Sequence, residues 1–451
     1  MKEFCYRQLE LSELASISEK IKSTYGQLSV VVGKRRVGKT RLLKDAFYYH
    51  DTTKTLYFLV SRKSEAMLIH EFTDIIATEL NVKLFKPESL KDIIEYLIHY
   101  SMRIPLTIII DEFQDIERVS PSLFSDIQNL WDSYKTQSMM HLVCCGSMHN
   151  MMTKIFKGND EPLMNRDDRF FRITPLKPSH IKRFMKDLGV FDSKNMLEWW
   201  CLTGGIPKYL KWLSLSTGHD NVFDYVISSN SPFLKEGTHR LVEDFGSEHQ
   251  NYFDILNAIS LGKTKRSDIQ NHVRMGVDVH LEHMESNFNV ITKVKPISSD
   301  ETTRDSRFEI EDPFINFWFK FIHSNSSAVE MDNFDYIKAH IERDFDTFSV
   351  WQLKSLFKAI LAESKRFNKI GGYWNAKGQD VIDIVAVNEL EKAVLIAECQ
   401  RQQSIYDEAM LIAKSQSLIS KMSLQHYKMT YRGVSLDNLE ELMEEFTPNL
   451  Q

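Results

Sequence analysis

The sequence predicts an α/β fold built on a parallel β-sheet, and three observations support this prediction. Short runs rich in β-branched and other apolar residues recur at residues 28–32, 55–60, 106–110, 141–145 and 171–174. Segments with apolar residues at helical spacing, such as 39–47 and 64–80, separate these runs, and a glycine-rich loop follows the first run. Strands that alternate with helices are typical of a parallel sheet that helices cover on both faces.

Composition limits the classes of protein to which the chain can belong. Its 451 residues suffice for about three domains of ~150 residues each. A formal charge of −6 excludes a basic protein that coats nucleic acid, although a local basic face stays open. Five cysteines without zinc spacing, and an N-terminus too charged for a signal peptide, predict a cytoplasmic protein. No run approaches the ~20 apolar residues of a membrane helix, so we expect no membrane partner.

The loop after the first strand carries the most specific motif in the chain, the P-loop pattern. The residues expected to contact a nucleotide are Gly33, Lys34, Arg35, Arg36, Val37, Gly38, Lys39, Thr40 and Arg41. Glycines let backbone N–H groups close around phosphates, and the helix that follows adds a partial positive charge. Lys39 would reach the β- and γ-phosphates, and the Thr40 hydroxyl would bind Mg²⁺. ATP and Mg²⁺ are therefore the predicted cofactors.

Acidic and hydroxyl side chains follow two further strands. Residues 106–110 lead directly into Asp111 and Glu112. Asp111 would hold Mg²⁺, and Glu112 would orient or deprotonate the attacking water. Ser147, after the fourth strand, either senses the γ-phosphate or belongs to an ordinary turn. Arg166 and Arg169 precede the fifth strand, where either one acts as an arginine finger or both belong to a solvated charge cluster.

These motifs resemble those of the archaeal and prokaryotic ATPase family in the STAND and AAA+ branch of P-loop proteins. The matching segments are Phe4-x-x-Arg7-x-x-Glu10-Leu11-x-x-Leu14, the P-loop, Asp111-Glu112-Phe113-Gln114 and Thr203-Gly204-Gly205-Ile206-Pro207-Lys208-Tyr209. The last segment resembles the motif of the family's helical lid, which implies that Pro207 lies close to the adenine. Arg166 occupies the family's arginine position, although Asn165 replaces the glycine that usually precedes it. The resemblance therefore favours Arg166 over Arg169 as the residue that acts at the phosphates.

A separate small module is predicted after the lid. Two helices, around Tyr252 and Ile269, precede strand-like runs at 290–294 and 308–310, an order typical of a winged helix. The motif Asp312-Pro313-Phe314-x-x-Phe317-Trp318-Phe319 resembles the segment that closes this module in the family. Its local basic residues are Lys263, Lys265, Arg266 and Arg274. These side chains either contact DNA phosphates or belong to a module that packs internally.

The C-terminal region resembles the domain of unknown function attached to these ATPases, which in turn resembles the PD-(D/E)XK nuclease fold. Asp383 and Glu398 match the metal-binding acids of that fold. Gln400 stands where a lysine is expected, and Gln352 stands where relatives often carry a helical glutamate. A neutral amide cannot supply the charge of a lysine, so we expect an inactive nuclease-like domain.

The full prediction is a P-loop NTPase sheet with a helical lid, a winged helix and an α/β restriction-endonuclease-like domain. The expected boundaries are 1–175 for the ATPase core, 176–240 for the lid, 241–325 for the winged helix and 326–451 for the last domain. ATP hydrolysis would drive a molecular switch or motor. A DNA-cleaving enzyme and a nucleotide-dependent scaffold with little turnover are the alternatives. DNA, a protein client and a second copy of the chain stay open as partners.

Overall fold

The computed structural model of the protein describes residues 6–48, 53–61, 63–82, 86–216, 218, 221–245, 249–299, 305–375 and 380–447. Phe4 of the N-terminal motif and Cys5 lie outside the described residues. The chain divides into two compact units, Met1–Thr174 and Pro175–Gln451.

The first unit contains a five-stranded sheet and the helices around it. Its strands are β1 Gln27–Val32, β2 Lys54–Leu59, β3 Leu106–Asp111, β4 Met140–Gly146 and β5 Arg169–Arg172. Its helices are α1 Gln8–Lys20, α2 Lys39–Phe47, α3 Glu65–Leu80, α4 Leu90–Ser101, α5 Ile116–Val119, α6 Leu123–Tyr134 and α7 His149–Lys157. The strand order is β2-β3-β4-β1-β5, and every neighbouring pair is parallel. The predicted α/β fold with a parallel sheet is confirmed.

Helices cover both faces of this sheet because its central strands are apolar on both sides. β3 and β4 are buried along their whole length. Apolar side chains of α1 and α2 pack with Val31, Ile109 and Val143 on one face. Those of α3, α4, α6 and α7 pack with Val30 and Ile108 on the other. Parallel strands all end at the same edge, so the loops after β1, β3 and β4 meet there.

The second unit begins with helices and ends with a mixed sheet. Its helices are α8 Pro178–Leu188, α9 Ser193–Thr203, α10 Pro207–Leu213, α11 Val222–Val226, α12 Pro232–Phe245, α13 His249–Ser260, α14 Arg266–Val273, α15 Asp278–Ser286, α16 Pro313–Phe317, α17 Ser326–Glu330, α18 Phe334–Ser364, α19 Glu408–Lys421 and α20 Leu439–Phe446. Its strands are β6 Ile291–Val294, β7 Arg307–Ile310, β8 Lys369–Tyr373, β9 Ile382–Asn388, β10 Ala393–Cys399 and β11 Lys428–Val434.

Two sheets organise this unit. β6 and β7 form an antiparallel pair after the three helices α13–α15, one helix more than the two predicted. The assignment of this module as a winged helix stays a prediction. β8 to β11 form a sheet in the order β11-β10-β9-β8, in which only β10 and β11 are parallel. The 31-residue helix α18 packs on β8, β9 and β10.

Two local predictions differ from the structure. The fifth strand begins at Arg169, two residues before the expected start at Phe171. The serines of the polar segment 324–327 predict a linker, but the structure shows a helical segment there. Its serines do not need a loop, because the Ser324 hydroxyl donates to the Phe319 carbonyl at 2.7 Å. Among the helices of the described residues, none combines the length and the apolar character needed to cross a membrane.

Candidate nucleotide-binding site

The P-loop lies between β1 and α2, and its backbone follows from its glycines. A Cβ atom on Gly33 would stand 2.3 Å from the Ile173 carbonyl oxygen, so the first position admits no side chain. Gly38, directly before α2, has φ 92°, a conformation that L-residues rarely adopt. Arg36 also takes a positive φ, 70°. The loop therefore turns tightly and presents backbone N–H groups before the helix.

Lys39 is buried at the first turn of α2, with only 7% of its surface exposed. Its ammonium folds back over the loop and donates to the carbonyls of Gly33 at 2.7 Å and Lys34 at 3.3 Å. Arg7 supports the same loop from the N-terminal segment, since its guanidinium donates to the carbonyls of Val37 at 3.2 Å and Thr174 at 2.6 Å. The Val37 side chain packs in the core beneath the loop.

Asp111 lies at the end of β3, beside the start of α2. The Thr40 hydroxyl donates to Asp111 Oδ2 at 3.1 Å, and the Tyr57 hydroxyl donates to the same oxygen at 2.5 Å. Burial, and then the charge of Asp111, raises the pKa of Tyr57, so its hydroxyl stays a donor. The structure thus brings Thr40 and Asp111 together, as predicted for a Mg²⁺ site, and adds Tyr57 to them.

Glu112 begins the turn after β3 in a left-handed conformation, with φ 54°. One carboxylate oxygen accepts from Gln114 at 2.6 Å and from Ser147 at 2.7 Å. The other lies 3.7 Å from the Arg35 guanidinium of the P-loop. Ser147 stands at the end of β4, the strand between β3 and β1, so it lies between the two halves of the site.

Arg166 lies at the other edge of the sheet. Its guanidinium donates to both carboxylate oxygens of Asp132 on α6, at 3.0 and 2.7 Å. It precedes β5, and Asp168 already pairs with Leu28 at the start of β1. The strand rise of ~3.3 Å per residue puts Leu28 roughly 15 Å from Gly33. In this chain the Arg166 guanidinium therefore pairs with Asp132 away from the P-loop, and its role at the phosphates stays a prediction.

The remaining predicted nucleotide contacts fall in three places. Arg41 points along α2, where its Nε donates to Asp45 at 2.8 Å. Lys34 and Arg36 lie in the loop itself. Pro207 belongs to the second unit, where it opens α10 after Gly204 and Gly205. Its place beside an adenine stays a prediction.

Sequence reasoning missed two residues of the site. Tyr57 lies on the strand beside β3, in register so that Leu59 is opposite Asp111. The strand period of two then puts Tyr57 on the same face, but this follows only once the strand order is known. Gln114 was visible within the Asp111-Glu112-Phe113-Gln114 motif, although its amide was not assigned to the Glu112 carboxylate.

The two acids of the C-terminal region are each paired with a lysine. Asp383 lies 3.7 Å from the ammonium of Lys354 on α18 and accepts from the Cys399 N–H at 3.0 Å. Glu398 accepts from Lys414 on α19 at 2.7 Å. In the part of the chain that the structure describes, no group of three or more His, Cys, Asp or Glu side chains could hold a metal ion.

Comparison with known proteins supports the interpretation of this region as an ATPase domain. Residues 4–213 match the family of ATPase domains found predominantly in Archaea. The chain thus carries an ATPase domain and is an ATP-hydrolysing enzyme. Residues 318–412 match a family of archaeal and bacterial proteins of unknown function. These matches support the predicted resemblance as far as an archaeal ATPase domain and a C-terminal domain of unknown function, while the PD-(D/E)XK character of the C-terminal domain stays a prediction.

Individual relatives extend the similarity to most of the chain. An uncharacterized protein of Methanocaldococcus jannaschii is 26% identical over 402 residues, which cover 86% of this chain and 85% of that protein. The Walker-type ATPase of Pyrococcus abyssi superposes with a TM-score of 0.52 at 18% identity, over 68% of this chain and 95% of that one. The Aeropyrum pernix ORC2 protein, in complexes with ADPNP and ADP, gives 0.50 at 15% identity, over 76% and 96%. At these identities, the two structures indicate a shared fold.

Proposed function

We propose that ATP and Mg²⁺ bind at the carboxyl edge of the first sheet and that Glu112 serves as the catalytic base. The observation that carries this proposal is the convergence of Lys39, Thr40, Asp111, Glu112 and Ser147 at that edge. Lys39 and the N-terminus of α2 would hold the phosphates, which are anionic. Thr40 and Asp111 supply the hydroxyl and carboxylate oxygens that Mg²⁺ prefers, and the bound ion would neutralise charge on the phosphates.

Neighbouring side chains hold the Glu112 carboxylate in one orientation. Ser147 and Gln114 donate to one of its oxygens, at 2.7 and 2.6 Å, and Arg35 approaches the other. A carboxylate that is oriented in this way can accept a proton from a water molecule at the γ-phosphate. Ser147 links that carboxylate to the end of β4, so we propose that it reports the state of the γ-phosphate to Glu112.

The activity would drive a switch or motor of the STAND and AAA+ type. The second unit carries the proposed helical lid, a helix–hairpin module formed by α13–α15 and the β6–β7 hairpin, and the C-terminal domain. ATP turnover would change their arrangement. The proposed lid, 176–240, includes Pro207, and the proposed winged helix and C-terminal domain are 241–325 and 326–451. The described cysteines are buried free thiols, which is in keeping with the reducing cytoplasm proposed as its location.

Two substitutions test the proposal. Lys39→Ala should abolish ATP binding in calorimetric titration with Mg²⁺, while Lys20→Ala, at the end of α1, should leave it unchanged.

Glu112→Gln should bind ATP normally but release phosphate about 10²–10⁴-fold more slowly at saturating ATP, because it loses the base. Glu117→Gln, on the neighbouring helix α5, is the matched control.

The same measurements separate the proposed motor from a nucleotide-dependent scaffold. Parent protein that binds ATP without measurable phosphate release would favour the scaffold. Equal turnover in the Glu112→Gln and parent proteins would assign the base elsewhere. Because the Glu112→Gln variant should hold ATP, affinity capture with that variant would identify a protein client. The mass of the same variant in solution would report whether the chain self-associates.

DNA contact through the helix–hairpin module is a second candidate function. Lys263, Lys265 and Arg274 are exposed around α14, whereas Arg266 is ion-paired with Asp278 on α15. Exposed cations bind DNA phosphates with an affinity that falls as salt rises. Binding to a duplex that weakens in the Lys263→Ala/Lys265→Ala protein would support this function. Equal binding by the variant and parent proteins would count against it.

A further inference from the structure

A cavity of about 580 Å³ lies within the second unit. It is bounded by the end of α13, the β6–β7 hairpin and one face of α18. Cavities that bind small molecules typically measure ~300–1,000 Å³. The lining that matters chemically comes from α18, as Trp351, Gln352, Lys354 and Lys358. This cavity is not part of the ATPase site, which belongs to the first unit.

Gln352 is a buried amide that faces this cavity. Only 4% of its surface is exposed, and it lines the cavity wall. Its side chain makes no hydrogen bond to any group in the described ranges of the chain. An amide carries both N–H donors and a carbonyl acceptor. Gln352 is therefore a donor and acceptor suited to a ligand in the cavity.

Two lysines one helical turn apart add positive charge to the same wall. Lys358 has no carboxylate within ion-pair distance among the described residues, and burial, partly offset by Glu309, lowers its pKa. Lys354 lies 3.7 Å from Asp383, and its ammonium is 5.8 Å from the Trp351 ring centroid. Trp351 is 47% exposed and lies on the same helix as these two lysines. Glu309 and Asp383 lie near Lys358 without forming an ion pair with it, and a bound phosphate would give its ammonium an anion in direct contact.

Carboxylates that line the cavity restrict the class of ligand that it can bind. Glu309 and Glu311 line the cavity from the β7 side, and Asp344 lines it from α18. Asp344 accepts two hydrogen bonds from Arg343, both 2.8 Å. The lining therefore combines cations, carboxylate acceptors, an amide and an exposed aromatic face. A nucleotide has a group for each: a phosphate, sugar hydroxyls, a base edge and a planar ring.

We propose that this cavity binds a nucleotide of monophosphate size, with its phosphate at Lys354 and Lys358 and its base between Gln352 and Trp351. The nucleotide is either free or the phosphorylated end of a nucleic-acid strand. Because α18 also packs on the C-terminal sheet, occupancy would brace that sheet against the helix–hairpin module. The second unit would thus contain its own nucleotide sensor, independent of the P-loop.

The test is calorimetric titration of the full-length protein with each of the four ribonucleoside 5′-monophosphates. The Lys39→Ala protein is titrated in parallel, so that P-loop binding is separated from binding in the cavity. We expect at least one monophosphate to bind both proteins equally and to quench tryptophan fluorescence, with the quench lost in Trp351→Phe. Lys358→Met and Gln352→Leu should each weaken that binding by about tenfold or more. Lys428→Met, an exposed lysine on β11, should not.

Further probes define the ligand source and the failing outcomes. Ribose 5-phosphate and the free nucleoside should each bind more weakly than the monophosphate, because each lacks one of the recognised groups. Tighter binding of a 5′-phosphorylated dinucleotide would assign the site to a strand end, and weaker binding would assign it to free nucleotide. The proposal is overturned if no monophosphate binds the Lys39→Ala protein. It is also overturned if Lys358→Met and Gln352→Leu, with parental unfolding temperatures, bind as well as the parent.

Discussion

Tyr57 illustrates how a single side chain outside the recognised motifs completes the site. Asp111 Oδ2 accepts from two hydroxyls, those of Thr40 and Tyr57. If Thr40 turns to Mg²⁺, Tyr57 still holds the carboxylate in place. Groups that orient a metal ligand contribute to metal affinity without touching the ion.

Replacing Tyr57 with phenylalanine should raise the Mg²⁺ concentration that half-saturates ATP hydrolysis by about 10–100-fold. The ring would still fill its place in the sheet, so folding should be unaffected. Phosphate release at saturating ATP, titrated with MgCl₂, measures the effect. Tyr100→Phe on α4 is the matched control, and an unchanged Mg²⁺ dependence for Tyr57→Phe would show that the hydroxyl does not orient Asp111.

Arg166 should matter more for stability than for ATP affinity. It joins the segment before β5 to α6, and it also donates to the carbonyls of Pro162 and Met164 at 2.8 and 3.1 Å. We expect Arg166→Ala to destabilise the protein by about 1 kcal/mol, since the ion pair is partly solvated. Thermal unfolding should show this loss, with Arg169→Ala nearly unchanged. A weakened ATP affinity in Arg166→Ala at parental stability would contradict the assignment.

At the residue scale, the sequence was sufficient wherever a motif follows a strand. Asp111 ends β3, Ser147 directly follows β4, and the P-loop that leads to Lys39 follows β1. Parallel strands end at one edge, so the convergence of these residues was predictable. Arg166 precedes a strand, and the same rule puts it at the opposite edge. Its partner Asp132 comes from another helix, and no local pattern identifies such a contact.

At the scale of elements, the strands and helices of the first unit follow from period and turn signals, but their ends depend on tertiary contacts. β5 begins early because the Asp168 carboxylate accepts from the Leu28 N–H at 2.8 Å, while the Asp168 N–H donates to the Leu28 carbonyl at 2.8 Å. These two hydrogen bonds join segments that are far apart in sequence. The segment 324–327 shows the same limit, because the Ser324 hydroxyl lies within hydrogen-bond distance of Asn257 Oδ1 on α13, at 3.0 Å, and of the Phe319 carbonyl.

β4 carries a buried histidine that should make the protein sensitive to acid. His141 is fully buried, between the hydroxyls of Ser18 at 3.1 Å and Ser29 at 2.8 Å. Burial lowers the pKa of His141 to about 3, below its ordinary value of 6.5. As the pH falls, His141 is therefore protonated at a higher pH in the unfolded chain than in the folded protein. Its contribution to stability is complete above pH ~6.5 and is lost progressively as the pH falls toward ~3.

The expected loss for this one group is about 2 kcal/mol between pH 6.5 and pH 5. Denaturant unfolding at several pH values measures it. His141→Gln keeps hydrogen-bonding groups between the two serines but cannot be protonated in this range, so its stability should fall less over the same interval. Parallel pH profiles for the two proteins would show that His141 does not control the acid response.

At the scale of the whole molecule, the question is which of the two units performs chemistry. The first unit has the P-loop and the acids that we propose bind and hydrolyse ATP. The second has the sheet and the acids predicted for a nuclease-like domain, and it also brings Lys354 close to Asp383. Sequence reasoning found no lysine near these acids because Lys354 lies on α18, well before Asp383 in the chain. The absence of a lysine at Gln400 is therefore no longer a sufficient argument against cleavage.

Both acids are already paired with lysines, which disfavours metal binding. Asp383 pairs with Lys354 and accepts from a backbone N–H, and Glu398 is buried against Lys414. Mg²⁺ bound by both would have to displace two ammonium groups, each on a different helix. Gln352, at the position of the expected helical acid, adds no charge to hold the ion. Phosphodiester cleavage in this fold depends on that ion.

We therefore predict that the full-length protein does not cut DNA. Linear, supercoiled and single-stranded DNA would be incubated with the purified protein and Mg²⁺ or Mn²⁺, with and without ATP. The amount of cleaved DNA should not exceed that given by an Asp383→Ala/Glu398→Ala control purified in the same way, because the two acids cannot hold a metal ion at the phosphate. Cleavage by the parent that disappears in both Asp383→Ala and Glu398→Ala would reverse this conclusion. It would mean that DNA itself displaces Lys354 and Lys414 and frees the acids for metal.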